Sequence, residues 1–132
     1  MTDDRPLDYL TLEDLLEIAH GVLAEVQVRD LGLFASAAAR PGMSAFGADA
    51  YTGFADKAAA LMHSLGRNHP LVDGNKRLAW ASTRTFCLLN GFDLRYDVDD
   101  AEAFVLAVAA GRLDVPEISE WLTTHLITPA GG

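Results

Sequence analysis

The sequence contains one cysteine, Cys87, so no disulfide can close within the chain, and a lone thiol fits a reducing compartment. Its apolar runs are only a few residues long, too short to span a bilayer. Positive charge is scarce as well. Ten Lys and Arg stand against nineteen Asp and Glu, giving a formal net charge of -9 and a pI near 4.6. Such a surface repels phosphate backbones and anionic headgroups, so neither nucleic acid nor membrane is an expected direct partner. Met1 to Arg5 are acidic and include no apolar stretch of signal-peptide length, which makes the cytoplasm the expected location. There is no repeat, low-complexity tract or internal linker.

What is present is a globular composition, 50% hydrophobic and 22% charged over 132 residues. This predicts one core and a single domain spanning 1–132. From Leu12 to about Val28 the apolar residues recur at helical spacing, with Thr11 and Asp14 placed as a weak capping box. Asp30 starts a short second helix that ends before Pro41. Pro41 to Tyr51, rich in glycine and small residues, reads as a loop or flap. A third helix is predicted over Gly53 to Arg67, burying Phe54, Ala58, Leu61, Met62 and Leu65. His69 to Gly74 is a short turn. A long helix follows from Asn75 to Asn90, with Gly91 suited to end it. Phe92 to Tyr96 is extended, and Asp99 or Asp100 caps a fifth helix that stops near Gly111. Asp114 and Pro116 open a sixth that runs to about Leu126. The tail from Thr128 to Gly132 reads as frayed. The expected fold class is all-α: a compact single-domain bundle of about six helices with a short flap loop.

Although the chain is acidic, the window from Arg67 to Arg84 holds Arg67, Lys76, Arg77 and Arg84 against one acid, Asp73, a local charge of +3. Within it runs His69-Pro70-Leu71-Val72-Asp73-Gly74-Asn75-Lys76-Arg77. A glycine turn leading into a helix places unpartnered N–H groups and the positive end of the macrodipole at Gly74 and Asn75, where phosphate binds readily. Lys76 adds one full charge and Arg77 a planar fork for two phosphate oxygens. Asp73 is a natural Mg2+ ligand beside bound phosphates, and His69 suits removal of a hydroxyl proton near neutral pH. Plainer readings stand beside these. A histidine in a turn is ordinarily a surface residue, Asp-Gly is a common turn pair, and Asn75 also reads as a helix cap. Two cations in a first turn are harder to explain away, since each opposes the macrodipole at a cost of roughly 0.3–1 kcal/mol.

These nine residues resemble the Doc toxin branch of the Fic/Doc superfamily (the death-on-curing proteins), whose motif is H-x-F-x-D-[AG]-N-K-R. The likeness extends over Val28-Arg29-Asp30-Leu31-Gly32-Leu33, Ala39-Arg40-Pro41, Asn90-Gly91-Phe92 and Ala107 to Gly111. It implies the Fic/Doc fold and a toxin of a toxin–antitoxin pair that acts as an ATP- and Mg2+-dependent protein serine/threonine kinase. The implied target is a translation factor, elongation factor Tu, and the implied outcome is inhibited translation. Carried over, His69 is the catalytic base and Asp73 the metal ligand. Gly74, Asn75, Lys76 and Arg77 bind phosphate, with Arg67 a further phosphate contact. The Fic branch instead carries H-P-F-x-x-G-N-G-R-x-x-R and transfers AMP. Here Lys76 takes the place of its second motif glycine and Trp80 that of its last arginine. AMP transfer and a decayed, binding-only protein remain the rival expectations. Leu71 replaces the motif phenylalanine, which predicts a looser loop. No glutamate is followed by Gly or Asn, so the self-inhibitory [ST]-x-x-x-E-[GN] helix of many Fic proteins is missing. Inhibition is then expected from a Phd-like antitoxin whose tail folds into an apolar groove. His20, His63 and His125 lack ligand spacing, Trp80 and Trp121 are expected to pack, and Cys87 to be buried.

Overall fold

In the computed structural model, which describes residues 6–129, six helices carry the chain. They are α1 (Leu12–Val22), α2 (Leu31–Ala39), α3 (Phe54–Asn68), α4 (Asn75–Leu89), α5 (Val98–Ala109) and α6 (Val115–His125). Four two-residue strands form two small antiparallel ladders. β1 (Ser44–Ala45) pairs with β2 (Ala48–Asp49), and β3 (Asp93–Leu94) with β4 (Leu126–Ile127). The expected all-α bundle is thus the observed one. No helix among the described residues is long and apolar enough to cross a membrane. Ala130 to Gly132, the end of the tail read as frayed, lie outside the described residues.

The core is built around α3, which packs on α4, α6, α2 and α5. Its sequence explains the central place. Ala58, Ala59 and Ala60 let neighbouring backbones approach closely, while Leu61, Met62 and Leu65 fill the layer with no more than 1% exposure. Phe54 is half-buried and stacks between Phe86 and Phe92, at 5.0 and 4.8 Å between ring centres. Trp121 lies flat between Phe104 and His125, and Trp80 meets Tyr96 edge-on, so both tryptophans pack as expected. Cys87 is a free, buried thiol whose pKa burial raises to about 12, the behaviour of a small apolar residue.

Two boundaries differ from the sequence reading. α1 stops at Val22 instead of continuing to Val28, because Leu23 turns extended and Gln27 to Asp30 pair with the turn beyond α3. Leu23 and Val26 still pack on the core, but from an extended chain. The cap of α5 is Asp97, whose carboxylate accepts from the N–H groups of Asp99 and Asp100. Elsewhere the caps match: Thr11 and Asp14 form the reciprocal box, and Asp30 accepts from Leu33 N–H.

The flap from Pro41 to Tyr51 enters by a 3-10 turn (Arg40–Gly42) and closes as a hairpin with Phe46 and Gly47 at positive φ. Two cations fasten its base. Lys57, only 4% exposed, donates to the Asp49 carboxylate and to the carbonyls of Pro41 and Tyr51. Arg40 donates to Tyr51 Oη at 2.8 Å, Ser64 Oγ at 2.9 Å and His63 Nδ1 at 2.8 Å. A buried ammonium is tolerated there because it is surrounded by oxygen acceptors.

Candidate active site

The site begins where α3 ends. His69 terminates that helix in the left-handed region, φ 53° and ψ 67°, an uncommon conformation for a residue with a Cβ. The chain then crosses to α4 in five residues held from two sides. On one side the segment after α1 supplies main-chain bonds. Arg29 and Asp30 donate to Pro70 carbonyl at 2.8 and 3.1 Å, Val72 donates to Gln27 carbonyl at 2.9 Å, and Val28 bridges Leu71. On the other side stands Asn75, the first residue of α4 and 7% exposed. Its Oδ1 accepts from Leu71 N–H and its Nδ2 donates to Leu71 carbonyl, both at 2.9 Å.

Leu71 itself is 1% exposed and belongs to the core cluster. The position of the motif phenylalanine is therefore filled by an apolar anchor, and both polar groups of its peptide are satisfied. Because those two bonds orient the Asn75 amide, its N–H faces the lone pair of His69 Nδ1 at 3.4 Å. That contact is long for a hydrogen bond.

Gly74 precedes α4 at φ 90° and ψ 11°, a conformation suited to glycine. A Cβ there would also lie 2.7 Å from the Leu23 methyls. No side chain caps α4, in contrast to the bonded caps of α1, α2 and α5, and its first turn holds Lys76 and Arg77 but no acid. The free N–H groups and the macrodipole thus open onto a cavity of about 420 Å³. His69, Asp73, Gly74, Asn75, Lys76 and Arg77 all line it, with Leu23 and Val72 as its apolar wall.

Asp73 is exposed. Its Oδ1 accepts from Gly74 N–H at 2.9 Å, which leaves the other oxygen for the cavity. One carboxylate beside an anion site is the donor set Mg2+ takes when substrate phosphates complete its shell, so the residues present fit that ion. A second hollow of about 370 Å³ adjoins the first and shares Lys76 and Arg77. Trp80, Tyr96, Val105 and Leu106 give it an apolar lining between α4 and α5.

Six of the seven residues singled out in the sequence therefore meet in one cavity. Asn75 enters it differently from expectation, since its side chain is spent on the loop and its backbone N–H belongs to the helix tip. Arg67 stands apart. Its guanidinium lies over Gly111 in the turn after α5, so closely that any Cβ at Gly111 would collide with it. The left-handed turn at His69 reverses the chain after Arg67 has left on the α5 side, where Gly66 packs on Val108.

Arg29 was missed as part of this site. Its Nε donates to His69 carbonyl and its Nη2 to Asn68 carbonyl, both at 2.7 Å. It lies forty residues from His69 in the chain, and only its place in the Val28 to Leu33 segment marked it out.

A known protein family shares this stretch of the chain. A profile of the Fic/DOC family matches residues 9–87, from just before α1 to well within α4, and so includes the whole His69–Arg77 turn. The chain is also 49% identical over 117 residues to a protein of Mycolicibacterium smegmatis named Toxin Doc, covering 85% of this chain and 88% of that one. Likeness of this extent takes in the clamping segment, the loop and the helix tip together, and the chain belongs to the Fic/DOC family.

Proposed function

We propose that this protein is a cytoplasmic toxin of a toxin–antitoxin pair. In this reading it transfers the γ-phosphoryl group of ATP to a serine or threonine hydroxyl of a translation factor, with elongation factor Tu the expected target. The observation that carries the proposal is the meeting of an uncapped helix tip, two cations, a free carboxylate oxygen and an imidazole in one cavity. Phosphoryl transfer asks the protein mainly to position its reactants and to neutralise charge, and these groups supply both.

The roles follow from chemistry. The N–H groups of α4, with Lys76 and Arg77, hold the phosphate oxygens. Asp73 would hold Mg2+, which when bound spreads the negative charge of the triphosphate. His69 takes the proton from the target hydroxyl as its oxygen bonds to the γ-phosphorus, and the bond to the departing ADP oxygen breaks. Arg67 is left out of this scheme, because its guanidinium points to Gly111. Lys76, standing where the AMP-transferring branch has glycine, favours the kinase over the AMP transferase. The buried Leu71 and the doubly bonded Asn75 speak against a decayed site.

The name of the relative supports an antitoxin as partner. An antitoxin tail folding as an amphipathic helix finds an apolar groove between α4 and α5, beside the catalytic cations.

The test is to incubate purified elongation factor Tu with the protein and ATP labelled at either the α or the γ position, and to follow the factor by mass spectrometry. Gain of one phosphate with the γ label, lost in His69→Ala and in Asp73→Ala, is the expected result. Gain of AMP with the α label establishes the rival chemistry. No modification, together with unchanged toxicity of both variants, overturns the enzymatic reading.

A further inference from the structure

We propose that Arg29 is a positioning residue for His69, its side chain holding the two carbonyls, of Asn68 and His69, whose peptides flank the His69 Cα. The inference rests on the functional reading above, since it concerns the orientation of the proposed base.

A helix that ends in a left-handed residue ordinarily satisfies its last carbonyls with the N–H groups of the residues that follow. Here the residue after His69 is Pro70, which has no N–H. Proline also disfavours helical geometry at the residue before it and steers that residue toward extended backbone. His69 nevertheless sits at φ 53°. A conformation of this kind persists only where its surroundings over-determine it.

Arg29 provides that determination. Its planar guanidinium donates to two successive carbonyls, Asn68 and His69, at 2.7 Å each. The fork geometry lets one side chain fix both peptide planes at once. Its charge also lies at the negative end of the α3 macrodipole, where a cation is favourable. The Arg29 backbone is itself held, by its N–H to Pro70 carbonyl and by the bridge of Val28 to Leu71. The guanidinium therefore has a fixed origin from which to hold the peptide on either side of the His69 Cα. Asn75 meets the imidazole from the far side at Nδ1. Between them the two residues constrain the backbone and the ring of the same histidine.

Two measurements on the full chain test this. In NMR spectra of protein labelled in its histidine rings, Arg29→Ala is expected to move the His69 ring signals. Those of His20, His63 and His125 stay in place. In the transfer assay the same variant is expected to lose about a hundredfold in kcat with KM for ATP unchanged, the scale of a base misplaced by about an ångström. Arg29→Lys, able to reach one carbonyl, recovers part of the rate. Methylguanidinium added to Arg29→Ala, at concentrations that leave the fold intact, recovers part as well. The proposal is overturned if the His69 signals stay unchanged in Arg29→Ala. It is equally overturned if all four histidines shift together and neither lysine nor methylguanidinium restores the rate, which marks general structural support only. If the wild-type protein transfers nothing, the functional reading fails, while the NMR comparison still decides whether Arg29 sets the geometry of His69.

Discussion

At the scale of single residues, the site depends on side chains that serve the backbone. Asn75 illustrates this. From the sequence it reads as a phosphate contact or a helix cap, yet its amide closes both polar groups of the Leu71 peptide in a region away from water. Removing the amide leaves a buried N–H and a buried C=O without partners, each costing about 1–3 kcal/mol. Asn75→Ala is therefore expected to lower stability by at least one such increment, read as a fall in the urea midpoint without a change in slope. An unfolding free energy within a few tenths of a kcal/mol of wild type contradicts the role assigned to it. The meeting of His69, Asp73, Lys76 and Arg77 in one cavity is legible in the sequence because they lie within nine consecutive residues. The contacts of Arg29, Arg40 and Lys57 are not, because their partners lie elsewhere in the chain and nothing local announces a donor facing a distant carbonyl.

Among the elements, caps and turns explain both the agreements and the misses. Thr11 with Asp14, and Asp30, cap by local rules that the sequence alone displays. The overlong reading of α1 arose from Leu23 and Val26, which keep helical spacing while packing from an extended segment. Pairing of that segment with the loop after α3 prevailed over the local periodicity. In the run of aspartates before α5 any of several carboxylates can cap, and the fold selects Asp97 over Asp99 and Asp100. The flap shows a further long-range dependence. Arg40 donates to His63 Nδ1, which requires an unprotonated nitrogen there, while His63 Nε2 faces Asp114 at 3.5 Å. Burial, reinforced by Arg40 and more weakly by Arg67, lowers the His63 pKa below its usual 6.5, against the opposing pull of Asp114. Because the folded-state value is depressed, the neutral ring contributes stability above about pH 6.5, and that contribution is lost as pH falls through the lowered value. Thermal unfolding followed from pH 7.5 to pH 5 is expected to show a smaller acid-side loss in His63→Gln than in wild type. Parallel curves would contradict a part for His63 in holding the flap.

For the molecule as a whole, an acidic chain concentrates positive charge at one place and builds a helix bundle that exposes it. Lys76 and Arg77, beside the uncapped N-terminus of α4, line one cavity of a chain whose net charge is negative. The bundle form and the cluster at the turn could both be read from periodicity and charge, whereas the adjoining apolar hollow between α4 and α5 emerged only with the packing of the two helices. The central claim is that this tip holds a triphosphate within reach of His69. Its most direct test is calorimetric titration of ATP with Mg2+ into the antitoxin-free protein and into the Lys76→Ala/Arg77→Ala double variant. The account predicts saturable, one-site binding to the wild type, weakened at raised salt and lost in the variant. A wild type that takes up no nucleotide, or a variant that binds as well as the wild type, would contradict it.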